Sequence, residues 1–406
     1  MDINSYLREN NLEVKYIPKG EVYEDAIKAT SDLHFSAGVW YLTGHLGDRF
    51  SPVQTGLNIP LWAAIEFLYR IGVKGVSFHY PGEFSDEYED IIIQLLTDRG
   101  LSITSIAANT FSHPVFKYSG PAASDPKVRG LALELNKRAQ ALGAKYGTLF
   151  QTDWAGRDGF DGYFLYDSVA QWEWTRQAYA DILMSVGGKT GIAIEFKPYD
   201  APEQSVIKTA EETLMMCEEV ENLIRERLKE DVEDKEIETA FAPYRGKMGV
   251  NIEDAHVYLS TRKVSEAVAK CIRADRLFLR HENDCEGRID NDRIFGSLHF
   301  FDALEATFVQ LKYEWDNNGG IHEPDIFPQK DDPLKAYIQS INAINFYYAL
   351  AKRVMEEHEE KGIEGFYAGR GAAEVYSRLL DIISKGVNYT PIDLKVADIF
   401  RKDMGL

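Results

Sequence analysis

Met248-Gly-Val-Asn-Ile-Glu-Asp-Ala-His256 is an apolar run that ends in a carboxylate and, three residues later, an imidazole. The pattern recurs. Leu277-Phe-Leu-Arg-His281 runs into Glu282 and Asn283, and Asp290-Asn-Asp292 follows. Upstream, Gly191-Ile-Ala-Ile-Glu195 closes on Glu195, with Lys197 two residues on; downstream, Ile321-His-Glu-Pro leads to Asp325. Apolar runs without strict polar alternation read as strands buried on both faces. Carboxylates and imidazoles repeated at the ends of such strands are the pattern of an active site at the top of an α/β barrel.

Outward from this block, the same alternation covers most of the chain. Strands are expected over 33–40, 73–79, 102–109, 146–151, 191–197, 247–253, 276–281 and 320–325. Helical patterns lie between them at about 58–71, 84–99, 124–143, 168–187, 203–228, 262–274 and 298–315. Eight strands alternating with helices predict a closed parallel (β/α)8 TIM barrel. Asp332 and Pro333 predict the cap and first turn of a long helix running to about Lys361. The expected organisation is an N-terminal extension over 1–32, a barrel over 33–361 and a C-terminal helical tail over 362–406, packed on the barrel or on another subunit. The charge run at 229–240 reads as a solvated helix or loop.

The 406 residues suit one barrel of roughly 250 residues with extensions. A net charge of −20 disfavours nucleic acid and anionic membranes as partners. No stretch approaches the ~18 apolar residues of a membrane span, and Met1-Asp-Ile-Asn-Ser is not the start of a secretory signal. Cys217, Cys271 and Cys285 lie far apart, as in a reduced, cytoplasmic protein.

None of these carboxylate and imidazole motifs is specific by itself. Asp-x-Asp is common on surfaces, although in extended backbone both of its carboxylates face one way. Glu195, inside an apolar strand, needs a partner such as Lys197 or a cation. The joint placement of Glu195, Glu253, His256, Asp290, Asp292 and Asp325 after strands five to eight carries the metal reading. Carboxylates with few imidazoles favour Mg²⁺, Mn²⁺ or Co²⁺, and about seven donors suffice for two ions. Two such ions can polarise neighbouring oxygens of a polyol and move hydrogen between adjacent carbons.

The chain resembles the xylose isomerase family, the metal-dependent aldose–ketose isomerases, over about residues 33–350. The resemblance is carried by Phe35-Ser-Ala-Gly-Val-Trp40, Gly47-Asp-Arg-Phe50, Val73-Lys-Gly-Val-Ser-Phe-His79, Asn109-Thr-Phe-Ser-His-Pro-Val-Phe-Lys117, Asp153-Trp-Ala-Gly-Arg-Asp-Gly159 and Ile194-Glu-Phe-Lys-Pro198. It implies that Glu195, Glu253 and Asp325 bind a structural ion. It further implies that Glu253, His256, Asp290 and Asp292 hold a catalytic one, with Glu253 bridging. Lys197 resembles the lysine that contacts a substrate oxygen or metal-bound water, and His79 the ring-opening histidine. Trp40, Phe111 and Trp154 resemble the aromatic walls along the sugar. Phe50 resembles the phenylalanine that reaches a neighbouring subunit's site, which implies a homodimer or homotetramer.

The chain departs from the family at three places. His281 stands where the family has an Asp ligand, as in the related rhamnose isomerases, so an imidazole is expected to bind there. No Asp follows His79 at the family spacing; Tyr80-Pro-Gly-Glu83 offers Glu83 instead. Phe327 replaces a lysine two residues after Asp325. The expected activity is isomerisation of an aldopentose or aldohexose by a metal-assisted 1,2-hydride shift. The alternatives are an isomerase of a deoxy sugar such as rhamnose, a keto-sugar epimerase on the same barrel, a metal-dependent nuclease and a non-catalytic sugar-binding protein.

Overall fold

The computed structural model describes residues 20–44, 59–200, 202–327 and 331–406. Eight parallel strands form the (β/α)8 barrel: β1 Ser36–Gly38, β2 Gly75–Tyr80, β3 Ser102–Ala108, β4 Phe150–Trp154, β5 Gly191–Glu195, β6 Met248–Glu253, β7 Leu277–His281 and β8 His322–Glu323. β1 to β3 pair in sequence, and β4 to β8 pair in sequence. Two seams join these arcs without full ladders. A parallel bridge links Phe35 to His322, and the Thr152 amide donates to Ser105 Oγ at 2.6 Å across the β3–β4 seam.

A strand lies at each of the eight expected places, but β1 and β8 are short, and β4 starts at Phe150 rather than 146, where the preceding helix is still running. Pro324 has no N–H to offer a ladder beyond Glu323, which limits β8. The helix expected from 203 begins at Ala210, because Gln204–Ser205 pairs antiparallel with Gly159–Phe160 first. The charge run is not wholly solvated: Ile237, within it, is buried, as is Phe241 just after it. Within the expected N-terminal extension, Glu21–Ala29 is helical and buries Tyr23 and Ala26.

Capping chemistry sets several helix starts. Asp125 accepts from the Lys127 amide ahead of Pro126–Tyr146, with Pro126 in the first turn and Gly147 left-handed (φ 74°) at the end. Asp332 accepts from the Leu334 and Lys335 amides and opens Pro333–Lys361. The tail lies on its own barrel: Phe400 is buried edge-on against Phe67, and the Asn342 amide group exchanges two hydrogen bonds with the Ile392 backbone.

Register places the site. Phe150, Ala193, Leu279 and Ile321 pack together as a floor inside the barrel. The Phe278 ring lies against Gly249, where a Cβ would come within 2.4 Å of it, so a larger residue at 249 would displace the ring. Ala193 and Leu279 stand two residues before Glu195 and His281, so the polar groups follow on the same face, one layer higher. Glu253 pairs with His281, and His281 with Glu323, in one row across β6, β7 and β8.

Candidate metal centre

Two groups of ligand atoms converge at the carboxyl ends of β5 to β8. Glu195, Glu253, His281 and Asp325 form one; Glu253, His256 and Asp290 form the other; Glu253 belongs to both. His281 Nδ1 lies 3.0 Å from Glu195 Oε2 and 3.1 Å from Asp325 Oδ2. His256 Nε2 lies 3.2 Å from Glu253 Oε2 and 3.0 Å from Asp290 Oδ2. The helix Asp254–Leu259 starts directly after β6, so Glu253 and His256 share one face of its first turn. Asp292 is not part of either group. Its backbone is left-handed (φ 39°) rather than extended, and its Oδ1 accepts from Asn283 Nδ2 at 3.2 Å.

Electrostatics are strained in a way that a cation relieves. Burial, and then the carboxylates of Asp290, Glu195, Asp325 and Asp292, hold Glu253 well above the usual carboxylate range. Asp292 is raised for the same reasons, with Asp290 the main neighbour. Glu195 goes the other way, down to about 2: burial opposes this, but the His281 and His256 imidazoles outweigh it. Burial likewise opposes ionisation of Asp290, yet Lys197 and His256 hold it well below its ordinary value. Neighbouring Glu195 and Glu253 thus diverge because His281 sits against Glu195, whereas Glu253 is surrounded by four carboxylates. Crowded by ionised neighbours, Glu253 and Asp292 resist giving up their protons, and divalent ions would supply the positive charge that lets all of these carboxyls ionise together. The donor set passes a second check. Both ring nitrogens of His281, Nδ1 of His256 and Oδ1 of Asp290 are buried without hydrogen bonds. Buried polar atoms are seldom left so, and close N–O approaches without hydrogen-bond geometry suit ligands of an ion.

The other described candidates lie around this mouth. Lys197 Nζ donates to Asp290 Oδ2 at 2.5 Å and stands 5.4 Å over the Trp154 ring. From Trp154 an aromatic arc runs to Phe111 (4.6 Å between centroids), His79 (5.4 Å) and Trp40 (4.6 Å). Trp40 Nε1 donates to Asp325 Oδ1 at 3.0 Å, which returns the arc to the first ligand group. His79 Nδ1 lies 3.2 Å from Glu83 Oε2, and the His79 amide donates to the same oxygen at 2.9 Å. Burial alone would raise the Glu83 carboxyl; His79 brings it below its ordinary value. Phe327 packs its ring edge-on against Tyr41, and its amide donates to the Asp292 carbonyl. Phe50 falls outside the described residues.

Several buried polar groups have roles that the sequence did not assign, although Glu282 and Asn283 stood out at a strand end. Asn251 donates to Glu195 Oε2 at 2.7 Å, and Asn283 to Glu253 Oε1 at 2.8 Å, fixing two ligands. Glu323, fully buried, accepts from Ser77 Oγ at 2.8 Å. Behind the ligand layer, Arg280 forks onto Asp254 at 3.0 and 2.7 Å, donates to Gln310 and lies 3.3 Å from Glu282. Glu282 in turn meets His322, which meets Asp316. Alternation in and out of the barrel was the available signal: Asp254, Arg280, Glu282 and His322 are chain neighbours of Glu253, His281 and Glu323. Arg280→Leu leaves Asp254 buried without its cation and Glu282 with His322 alone. It is expected to cost about 3–5 kcal/mol, read as a lower denaturant midpoint at unchanged slope.

No family model matches the chain. Over 295 residues it is 27% identical to xylose isomerase of Thermus thermophilus, covering 68% of this chain and 70% of that one. Among solved structures, L-ribulose 3-epimerase aligns with a TM-score of 0.55 at 11% identity, over 81% of this chain and 99% of that one. The 3-keto-D-glucoside 4-epimerase of E. coli aligns with a TM-score of 0.50 at 12% identity, over 77% and 98%. These structural likenesses concern the barrel. The likeness in sequence spans two thirds of the chain and is to xylose isomerase, as the motifs imply.

Proposed function

We propose that this xylose isomerase-like chain is a sugar isomerase that interconverts an open-chain aldopentose or aldohexose with its ketose, using two divalent cations per chain. One observation carries the reading: two ligand groups sharing Glu253 open onto an aromatic arc that contains His79. Glu195, Glu253, His281 and Asp325 would hold one ion. Glu253, His256 and Asp290 would hold the other, with Asp292 beside them. Such ions would supply polarisation of neighbouring sugar oxygens, the chemistry that a hydrogen shift between C1 and C2 requires.

The chain's own residues do the rest. Trp40, Phe111 and Trp154 offer ring faces to the C–H surfaces of a sugar and keep water from the reacting carbons. Glu83 accepts a hydrogen bond from Nδ1 of His79, which leaves Nε2 to take the anomeric hydroxyl proton as the bond from C1 to the ring oxygen breaks, and to pass that proton to the released ring oxygen. Lys197 remains charged beside Asp290 and Glu253, and donates to a sugar oxygen. Glu83→Gln is therefore expected to lower kcat/KM on the order of 10²-fold while bound metal per chain stays unchanged, as checked by kinetics alongside elemental analysis.

A single-ion keto-sugar epimerase is the competing reading, because the first group alone supplies four donors. Both are tested together. Metal-stripped protein, reloaded with Mn²⁺, Co²⁺ or Mg²⁺, is incubated with a panel of aldoses and ketoses. Ketose formed from an aldose supports the isomerase. Only C3- or C4-inverted ketoses, with one ion per chain, would favour the epimerase.

A further inference from the structure

His281 raises a question that its ligand role does not answer. An imidazole presents two nitrogens, and only a deprotonated one can bind a cation; which one is free depends on the partner of the other. His281 Nδ1 faces Glu195 and Asp325 at 3.0 and 3.1 Å. Its Nε2 lies 3.4 Å from Glu323 Oε1. Both of these atoms are buried and without a hydrogen bond, and their 3.4 Å separation is short enough for a small movement to pair them. The other Glu323 oxygen is already engaged by Ser77 Oγ on β2, and Glu323 is directly paired with His281 in the β7–β8 register. Glu323 is not in either ligand group.

We propose that Glu323 is the positioning residue that makes an imidazole usable at 281. Its Oε1 accepts the Nε2 proton, so the lone pair sits on Nδ1, toward the space bounded by Glu195, Glu253 and Asp325. Ser77 clamps the second oxygen, which keeps Glu323 from rotating away from β7. His281 and Glu323 are in this sense a matched pair. An aspartate at 281 would set two buried carboxylates against each other and would have no proton to give Glu323. This inference rests on the metal reading of the site.

The test is Mn²⁺ affinity, followed by EPR of free Mn²⁺ on the full-length protein. Glu323→Ala is expected to weaken the tighter Mn²⁺ site about 10- to 100-fold. Glu323→Gln, whose amide oxygen still accepts the proton, is expected to recover most of that loss. In a His281→Asp background the sign reverses: adding Glu323→Gln tightens Mn²⁺ binding, because a repelling carboxylate is removed. Equal losses from Glu323→Ala in both backgrounds would overturn the proposal in favour of a general packing role. A lost ion in both Glu323→Ala and Glu323→Gln would overturn it in favour of direct ligation. Wild-type protein that takes up no Mn²⁺ fails the metal reading itself, and the proposal falls with it; a wild type that binds two ions and is indifferent to Glu323 fails the proposal alone.

Discussion

Glu253→Gln is expected to abolish isomerisation and to strip both cations together. Glu253 is the one residue common to the two ligand groups, and its buried carboxyl is crowded by Asp290, Glu195, Asp325 and Asp292, which hold it well above the usual carboxylate range. An amide of the same shape keeps one acceptor oxygen and keeps the fold, but it cannot bridge two dications. The loss of charge stabilisation at the reacting oxygens is worth several kcal/mol. At about 1.4 kcal/mol per decade, the rate should fall on the order of 10⁴-fold. Metal content should drop from two ions per chain to one weakly held ion or none. Thermal stability of the metal-free protein should rise slightly or stay level, since a buried and strained carboxylate has gone. A variant that kept two ions and lost only rate would place Glu253 in proton transfer instead.

Lys197→Met is the second large effect, and it should split two quantities that usually move together. Lys197 is buried, and its ammonium is held charged against burial by Asp290, Glu253 and Asp292. It also competes with a cation for Asp290, from which it stands 2.5 Å away. Methionine preserves the volume over Trp154 and removes the charge. Mn²⁺ binding should therefore tighten, about tenfold, because Asp290 is released and a repelling charge is lost. Turnover should nonetheless fall about 10³-fold, as expected on removal of one donor aimed at developing charge. Weaker metal binding accompanied by an equal loss of rate would mean that Lys197 only holds Asp290 in place.

The barrel could be read in the sequence because its signals are local. The β-branched and apolar run at 102–109 and the cap-and-proline pairs Asp125-Pro126 and Asp332-Pro333 specify their elements within a few residues. Residues after strand ends were legible for the same reason: Glu195, Glu253 and His281 each terminate an apolar run. What was hidden depends on which strand lies beside which. Glu323 and Arg280 find their partners in Ser77 and Gln310, on distant segments, and no local pattern marks a buried charge that is paired across a barrel. Asp292 shows the opposite failure. Asp-x-Asp implies an extended pair, but the turn puts Asp292 in the left-handed region, which aspartate tolerates better than most residues. Glu83 lies between: its position after His79 was visible, while the burial that commits it to His79 was not.

The most direct measurement is Mn²⁺ anomalous scattering from a crystal of the metal-loaded protein. The account predicts two peaks at the strand ends. One should be bounded by Glu195, His281 and Asp325, the other by His256 and Asp290, with Glu253 reaching both. A mouth that takes up no Mn²⁺, or a single ion that Glu253 does not touch, would contradict it.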